Sequence, residues 1–142
     1  MAEMSAAMRE FSRRADGGGF QLQKCATCGA VQWPPRDVCG ECWTDALQWA
    51  AVSSTGVVLA TITLRASMEE FFRARLPWRI GTIRLDAGPI VYAHLGGAVA
   101  EGDAVRLEAR LDFRGRGVFI AQPLGGDARD SKLTELISER ED

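Results

Sequence analysis

From Thr55 onward this chain reads as β-structure, and the sharpest stretch runs from Ala104 to Phe113. There Val105, Leu107, Ala109, Leu111 and Phe113 alternate with Arg106, Glu108, Arg110 and Asp112. A period of two over that length predicts a strand with one face buried. Gly115-Arg116-Gly117 turns the chain into a last strand, Val118 to Gln122, which Pro123 stops. Upstream, Gly56 to Leu64 is rich in Val, Thr, Ile and Leu. Arg79 to Asp86 and Pro89 to Leu95 flank the turn Asp86-Ala87-Gly88. Five short strands predict a small antiparallel barrel, and the OB-fold is the commonest five-stranded form. Ala66 to Trp78, between the first two strands, is the longest and chemically busiest connection.

The N-terminus follows a different period. Met4, Ala7, Met8, Phe11 and Ala15 recur at helical spacing, which predicts an amphipathic helix over residues 3–15. Gly17-Gly18-Gly19 ends it and supplies a hinge. So short a helix needs a docking surface, and a triple glycine leaves open whether that surface lies on this chain or on a partner. Phe20 to Gln23 suits a strand entering the cysteine-bearing segment. Ser131 to Asp142 reads as a polar, acidic tail with a helical turn around Leu133, Leu136 and Ile137. The expected organisation is therefore helix and glycine hinge over 1–19, ribbon over 20–50, barrel over 51–125 and tail over 126–142.

The ribbon carries the most specific chemistry. Cys25-Ala-Thr-Cys28 and Cys39-Gly-Glu-Cys42 hold all four cysteines of the chain. Two Cys-x-x-Cys pairs this close can close a tetrahedral four-thiolate site, which points to one structural zinc held by Cys25, Cys28, Cys39 and Cys42. Gly29 and Gly40 suit tight turns that aim amides at the sulfurs. Rubredoxin-like iron would use the same ligands. Paired disulfides would need an oxidising compartment, and residues 1–16 are charged, without the apolar run of a secretory signal. A thioredoxin-type pair would need one Cys-x-x-Cys in a βαβ context. Trp33 is expected to cover the metal site or the seam to the next domain, with Trp43, Leu47 and Trp49 anchoring the ribbon.

Composition adds mostly exclusions. With 46% hydrophobic and 25% charged residues, the 142-residue chain suits one globular domain, or a small module plus a domain. No apolar run reaches the roughly 20 residues of a membrane span, and a cytoplasmic setting is expected. Net charge is −2, which argues against general polyanion binding. A single-stranded nucleic-acid module, with Phe71, Trp78, Tyr92 and Phe113 stacking on bases, is the contrasting reading. Fifteen of the seventeen basic residues are arginines. Arg65, Arg73, Arg75, Arg79 and Arg84 make the first inter-strand connection locally positive, against Glu69 and Glu70. Arg65, Phe71, Phe72, Arg73, Arg75, Trp78 and Arg79 are the candidate set for meeting ligand phosphates or an acidic patch on a partner.

The order of helix, Cys-x-x-Cys…Pro34-Pro35-Arg36…Cys-x-x-Cys ribbon and five-stranded barrel resembles the zinc-ribbon/OB-fold family once called a domain of unknown function. Gly56 and the stretch Gly81 to Gly88 match as well. The resemblance covers roughly residues 10 to 123. It implies a companion subunit of thiolase-superfamily enzymes, working in a hetero-oligomer on acyl-CoA. Within the family the chain looks closest to the small zinc subunits of benzoylsuccinyl-CoA thiolases of anaerobic toluene degradation. Subunits of phloroglucinol-type acetyltransferases are the nearest competitor. The residues themselves agree that catalysis lies elsewhere: a thiolase needs a nucleophilic cysteine, and the metal claims all four. His94, the sole histidine, sits in Val91-Tyr92-Ala93-His94-Leu95 and reads as a satisfied strand histidine.

Overall fold

The computed structural model describes residues 5–96, 98–124 and 131–138. Alternation builds the barrel. β4 (Thr55–Leu64), β5 (Trp78–Leu85), β6 (Ile90–Leu95), β7 (Ala104–Leu111) and β8 (Gly117–Pro123) close in the order β4-β5-β6-β8-β7. Val105, Leu107 and Ala109 of β7 are buried among Val58, Ile83, Leu85, Val91, Ala93 and Leu95. All the neighbouring strands are antiparallel except β6 and β8, which pair in parallel at His94↔Ile120 and Leu95↔Ala121. Gly56 has a steric reason to be glycine: a Cβ there would meet the Arg84 carbonyl oxygen at 2.4 Å. The five-stranded OB barrel expected from the periodicity is the barrel observed.

The segment before the barrel forms a three-stranded sheet, β2-β1-β3, from β1 (Gln21–Cys25), β2 (Val31–Gln32) and β3 (Leu47–Ala51). Preceding it, α1 (Ala6–Asp16) is capped by the Ser5 hydroxyl, which accepts from the Met8 amide at 3.1 Å. Gly18 and Gly19 then take φ of +80° and +87°, a region that glycine enters without penalty. The helix docks on its own chain. Phe11, 1% exposed, meets Trp33 edge-on at 4.8 Å, Phe119 at 5.2 Å and Trp49 at 6.4 Å. The Gly117 amide donates to the buried Ser12 hydroxyl at 2.8 Å. Gly117 also lets the ring approach, since a Cβ there would lie 2.7 Å from the Phe11 ring. Trp33 therefore covers the ribbon–barrel seam. Residues 3 and 4 of the expected helix lie outside the described residues.

A second apolar cluster closes the other side of the barrel. α2 (Glu70–Arg73), inside the β4–β5 connection, and α3 (Ser131–Ser138) bring Phe71, Leu133, Leu136 and Ile137 onto Trp78 and Ile120. Leu133, Leu136 and Ile137 follow helical spacing, so the segment expected to be a tail is helical and buries its apolar stripe over 131–138. Of the expected tail, residues 126–130 and 139–142 lie outside the described residues. Among the described residues, no helix is long and apolar enough to cross a membrane.

Candidate functional site

The two cysteine pairs sit on matching knuckles. In the first, the Cys25 amide donates to the Ala30 carbonyl and the Gly29 amide to the Cys25 carbonyl, both at 2.9 Å. In the second, the Cys39 amide donates to Thr44 at 2.8 Å and the Trp43 amide to Cys39 at 3.0 Å, in the same register. The residue after each pair is left-handed: Gly29 at φ +81° and Trp43 at +67°. A tryptophan there is strained by roughly 1–3 kcal/mol, and its side chain is 82% exposed.

The four Sγ atoms lie within 4.8 Å of one another, with Cys25–Cys42 at 3.5 Å and Cys28–Cys39 at 3.6 Å. A zinc tetrahedron with bonds of about 2.3 Å has sulfur–sulfur edges of about 3.8 Å, so the cluster has the size the ion requires. The four cysteines form a zinc-ribbon site and fit a structural zinc. When bound, the ion ties the two knuckles together; with four protein ligands it offers no place for a substrate.

Polar groups brace the sulfurs. The Thr44 hydroxyl lies 3.5 Å from Cys25 Sγ and 3.3 Å from Cys42 Sγ. The Glu41 amide and the Gln32 side-chain amide donate to Cys39 Sγ at 3.3 and 3.4 Å. Gly40 differs from expectation: its amide donates to Gln32 Oε1 at 3.0 Å instead of a sulfur, and its φ is not positive. Buried Gln23 holds the Pro34-Pro35-Arg36 corner by exchanging two 2.8 Å bonds with the Arg36 backbone. Neither glutamine nor Thr44 announces this work in the sequence, because their partners come from other turns. The Thr44 hydroxyl, followed by the Cys28 amide, draws the Cys25 thiol down to about 6. The Ala30 amide pulls Cys28 the same way, but burial and the three neighbouring sulfurs outweigh it and push that thiol up to about 12. Thiols this close resist ionising together, and a divalent cation removes that resistance.

The connection rich in Arg and Phe is better packed than its composition suggests. Trp78 is 2% exposed and Phe71 8%. Phe71 stacks on Phe113 at 4.3 Å, and Phe72 meets Trp78 edge-on at 5.0 Å. These two buried rings support the surface from beneath. Arg75 lies over the Phe71 ring at 3.8 Å and pairs with Glu135 at 2.6 Å. Arg73 donates to the Ser67 and Met68 carbonyls, and Arg79 to the Gly96 carbonyl. Arg65 is exposed. Of the four rings considered for base stacking, only Tyr92 stands well clear, at 69% exposure.

His94 lies beside this cluster. Its Nδ1 accepts from the Trp78 indole N–H at 2.9 Å, and Phe72 stacks on its face at 6.0 Å. Burial pushes the imidazole down to about 4; Asp112 pulls it up and Arg114 down by lesser amounts. The ring is thus neutral near pH 7 and unsuited to act as a strong base there.

A four-thiolate ribbon seamed onto a closed five-stranded barrel defines the class: a zinc-ribbon/OB-fold protein. A family model for the rubredoxin-like zinc ribbon domain of ChsH2 matches residues 18–48, and one for the C-terminal OB-fold domain of ChsH2 matches residues 49–112. The chain belongs to this ChsH2-type zinc-ribbon/OB-fold family, also termed DUF35. A solved chain described as "Ltp2-ChsH2(DUF35) aldolase" is similar in fold, with a TM-score of 0.73 over 87% of this chain and 98% of that one. At 18% identity the likeness concerns the fold alone. No curated protein matches the chain.

Proposed function

We propose that this protein is a non-catalytic, zinc-binding accessory subunit of a thiolase-type complex acting on acyl-CoA in the cytoplasm. The observation that carries this reading is the closed four-thiolate cluster, which uses every thiol in the chain. A thiolase nucleophile must then come from another subunit. Two further observations support a partner. The solved chain of like fold belongs to a protein described as an aldolase pairing ChsH2 with Ltp2. Trp43 is held strained and 82% exposed at a position where the matching knuckle has glycine, and exposed tryptophans of that kind serve as interface anchors.

The specific complex we favour is benzoylsuccinyl-CoA thiolase of anaerobic toluene degradation, from the resemblance around Phe71-Phe72 and Leu76-Pro77-Trp78-Arg79. The chain would stabilise the large subunit and help shape its CoA-ester site. Arg65 and Arg73, on the exposed side of the β4–β5 connection, are our assignment for contacts to CoA phosphates or an acidic partner patch, with Arg75 and Arg79 bracing the connection behind them.

Co-expression with a thiolase-like large subunit, with each part assayed alone and together, tests the proposal. Activity should need both chains, and Trp43→Ala should weaken assembly without loss of zinc. A large subunit that is soluble and fully active alone would refute it.

A further inference from the structure

The outer face of β6 presents Ile90, Tyr92 and His94, the first two 52% and 69% exposed. Pairing of β6 with β8 is confined to His94↔Ile120 and Leu95↔Ala121. Beyond it, toward Tyr92 on one strand and Val118 and Gly117 on the other, lies a groove of about 270 Å³. Trp33, Ile80 and Phe119 complete most of its lining; the side chains there with polar atoms are Tyr92, His94 and, through its indole N–H, Trp33, and none is charged.

The hydrogen-bonding state of His94 follows from its neighbours. An indole N–H can only donate, so Nδ1 must be the acceptor and the neutral imidazole carries its proton on Nε2. No described residue accepts from Nε2. Phe72 on the ring face and Trp78 at Nδ1 hold the imidazole in place. The Tyr92 hydroxyl likewise has no partner among the described residues. Asp112 and Arg114, the charged groups that act on His94, are paired with each other at 3.0 Å. The groove therefore suits an apolar body that carries a neutral oxygen acceptor, and no cationic side chain lines it to call for an anion.

We propose that this groove binds the acyl end of an acyl-CoA: an apolar acyl or aroyl group whose carbonyl oxygen accepts from His94 Nε2–H and which lies against the Tyr92 ring. The assignment rests on the acyl-CoA reading above and deepens it, giving the acyl end to the β5–β6 face and leaving the CoA phosphates to the arginine-rich connection. The OB-fold commonly uses the same face for its ligands, which here would be an acyl group in place of a base or sugar.

His94 and Tyr92 are the only histidine and the only tyrosine in the chain, so each gives one unambiguous resonance. The test is a titration of the zinc-loaded, full-length chain, labelled at histidine and tyrosine, with benzoyl-CoA, hexanoyl-CoA and unacylated CoA. Either ester should shift the His94 Nε2 and Tyr92 ring signals while CoA leaves them in place. Tyr92→Ala, an exposed change that leaves the fold intact, should weaken ester binding by about fivefold through loss of the ring contact. Shifts from CoA equal to those from the esters, no shift from either ester at millimolar concentration, or binding unaffected by Tyr92→Ala would overturn the groove assignment. None of those outcomes bears on whether a large subunit needs this chain, which the co-expression assay reads separately.

Discussion

Acidification from pH 7 to pH 5 isolates His94. Folding lowers its pKa from an ordinary 6.5 to about 4, chiefly through burial. The unfolded chain therefore takes up the proton first, and stability falls as pH drops through 6.5, levelling only below about 4. Integrating that difference between pH 7 and pH 5 gives a loss on the order of 2 kcal/mol. This window lies above the ordinary carboxylate range, so acidic side chains contribute little to it. Zinc release from protonated thiolates would also destabilise the protein, and a variant separates the two. His94→Gln keeps an acceptor for the Trp78 indole and removes the titrating group, while leaving the metal site alone. Urea melts of both proteins at pH 7, 6 and 5, with zinc in excess, should show the gap between wild type and variant closing by about 2 kcal/mol toward pH 5. Parallel pH profiles, or a titration of the single histidine resonance with a midpoint near 6.5, would refute the reasoning.

Three further outcomes follow from the packing. Gly117→Ala puts a methyl 2.7 Å from the Phe11 ring. It should cost about 1–3 kcal/mol, read as a lower urea midpoint and faster amide exchange in α1. Gln23→Ala leaves the partly buried Arg36 amide and carbonyl without their side-chain partners. The expected loss is about 1–3 kcal/mol, and zinc affinity should fall with it. Chelation should remove one zinc per chain and expose Trp33 and Trp49 together, shifting tryptophan emission to the red; an unchanged spectrum after complete metal loss would contradict a structural role for the ion.

The five barrel strands were legible to within one or two residues at most ends, because alternation survives wherever one face is buried. The four cysteines were legible because ligand type and spacing are local. Packing between distant segments was not. Nothing in Gly17-Gly18-Gly19 says where α1 lies; its seat is made by Trp33, Trp49, Gly117 and Phe119, from three separate stretches of chain. Phe71 and Trp78 read as surface anchors because they sit among arginines, and α3, more than fifty residues away, is what covers them. Gly40 looked like a turn residue beside a cysteine, whereas the strained position is Trp43, a residue no local rule would place at positive φ. His94 was legible as a satisfied strand histidine at one nitrogen. Its other nitrogen depends on what stands across the groove.

The family models divide the chain between residues 48 and 49, but the seam around Phe11 does not respect that cut. Rings from the helix, the ribbon and the last barrel strand meet there in one cluster. The family models treat ribbon and barrel as two units, yet at this seam the two share one packed core. A chimera that exchanges the ribbon between relatives must carry α1 with it and match Phe119, or it will leave an aromatic socket open to water. The metal site and the barrel thus answer to each other through a helix that supplies none of the four sulfurs.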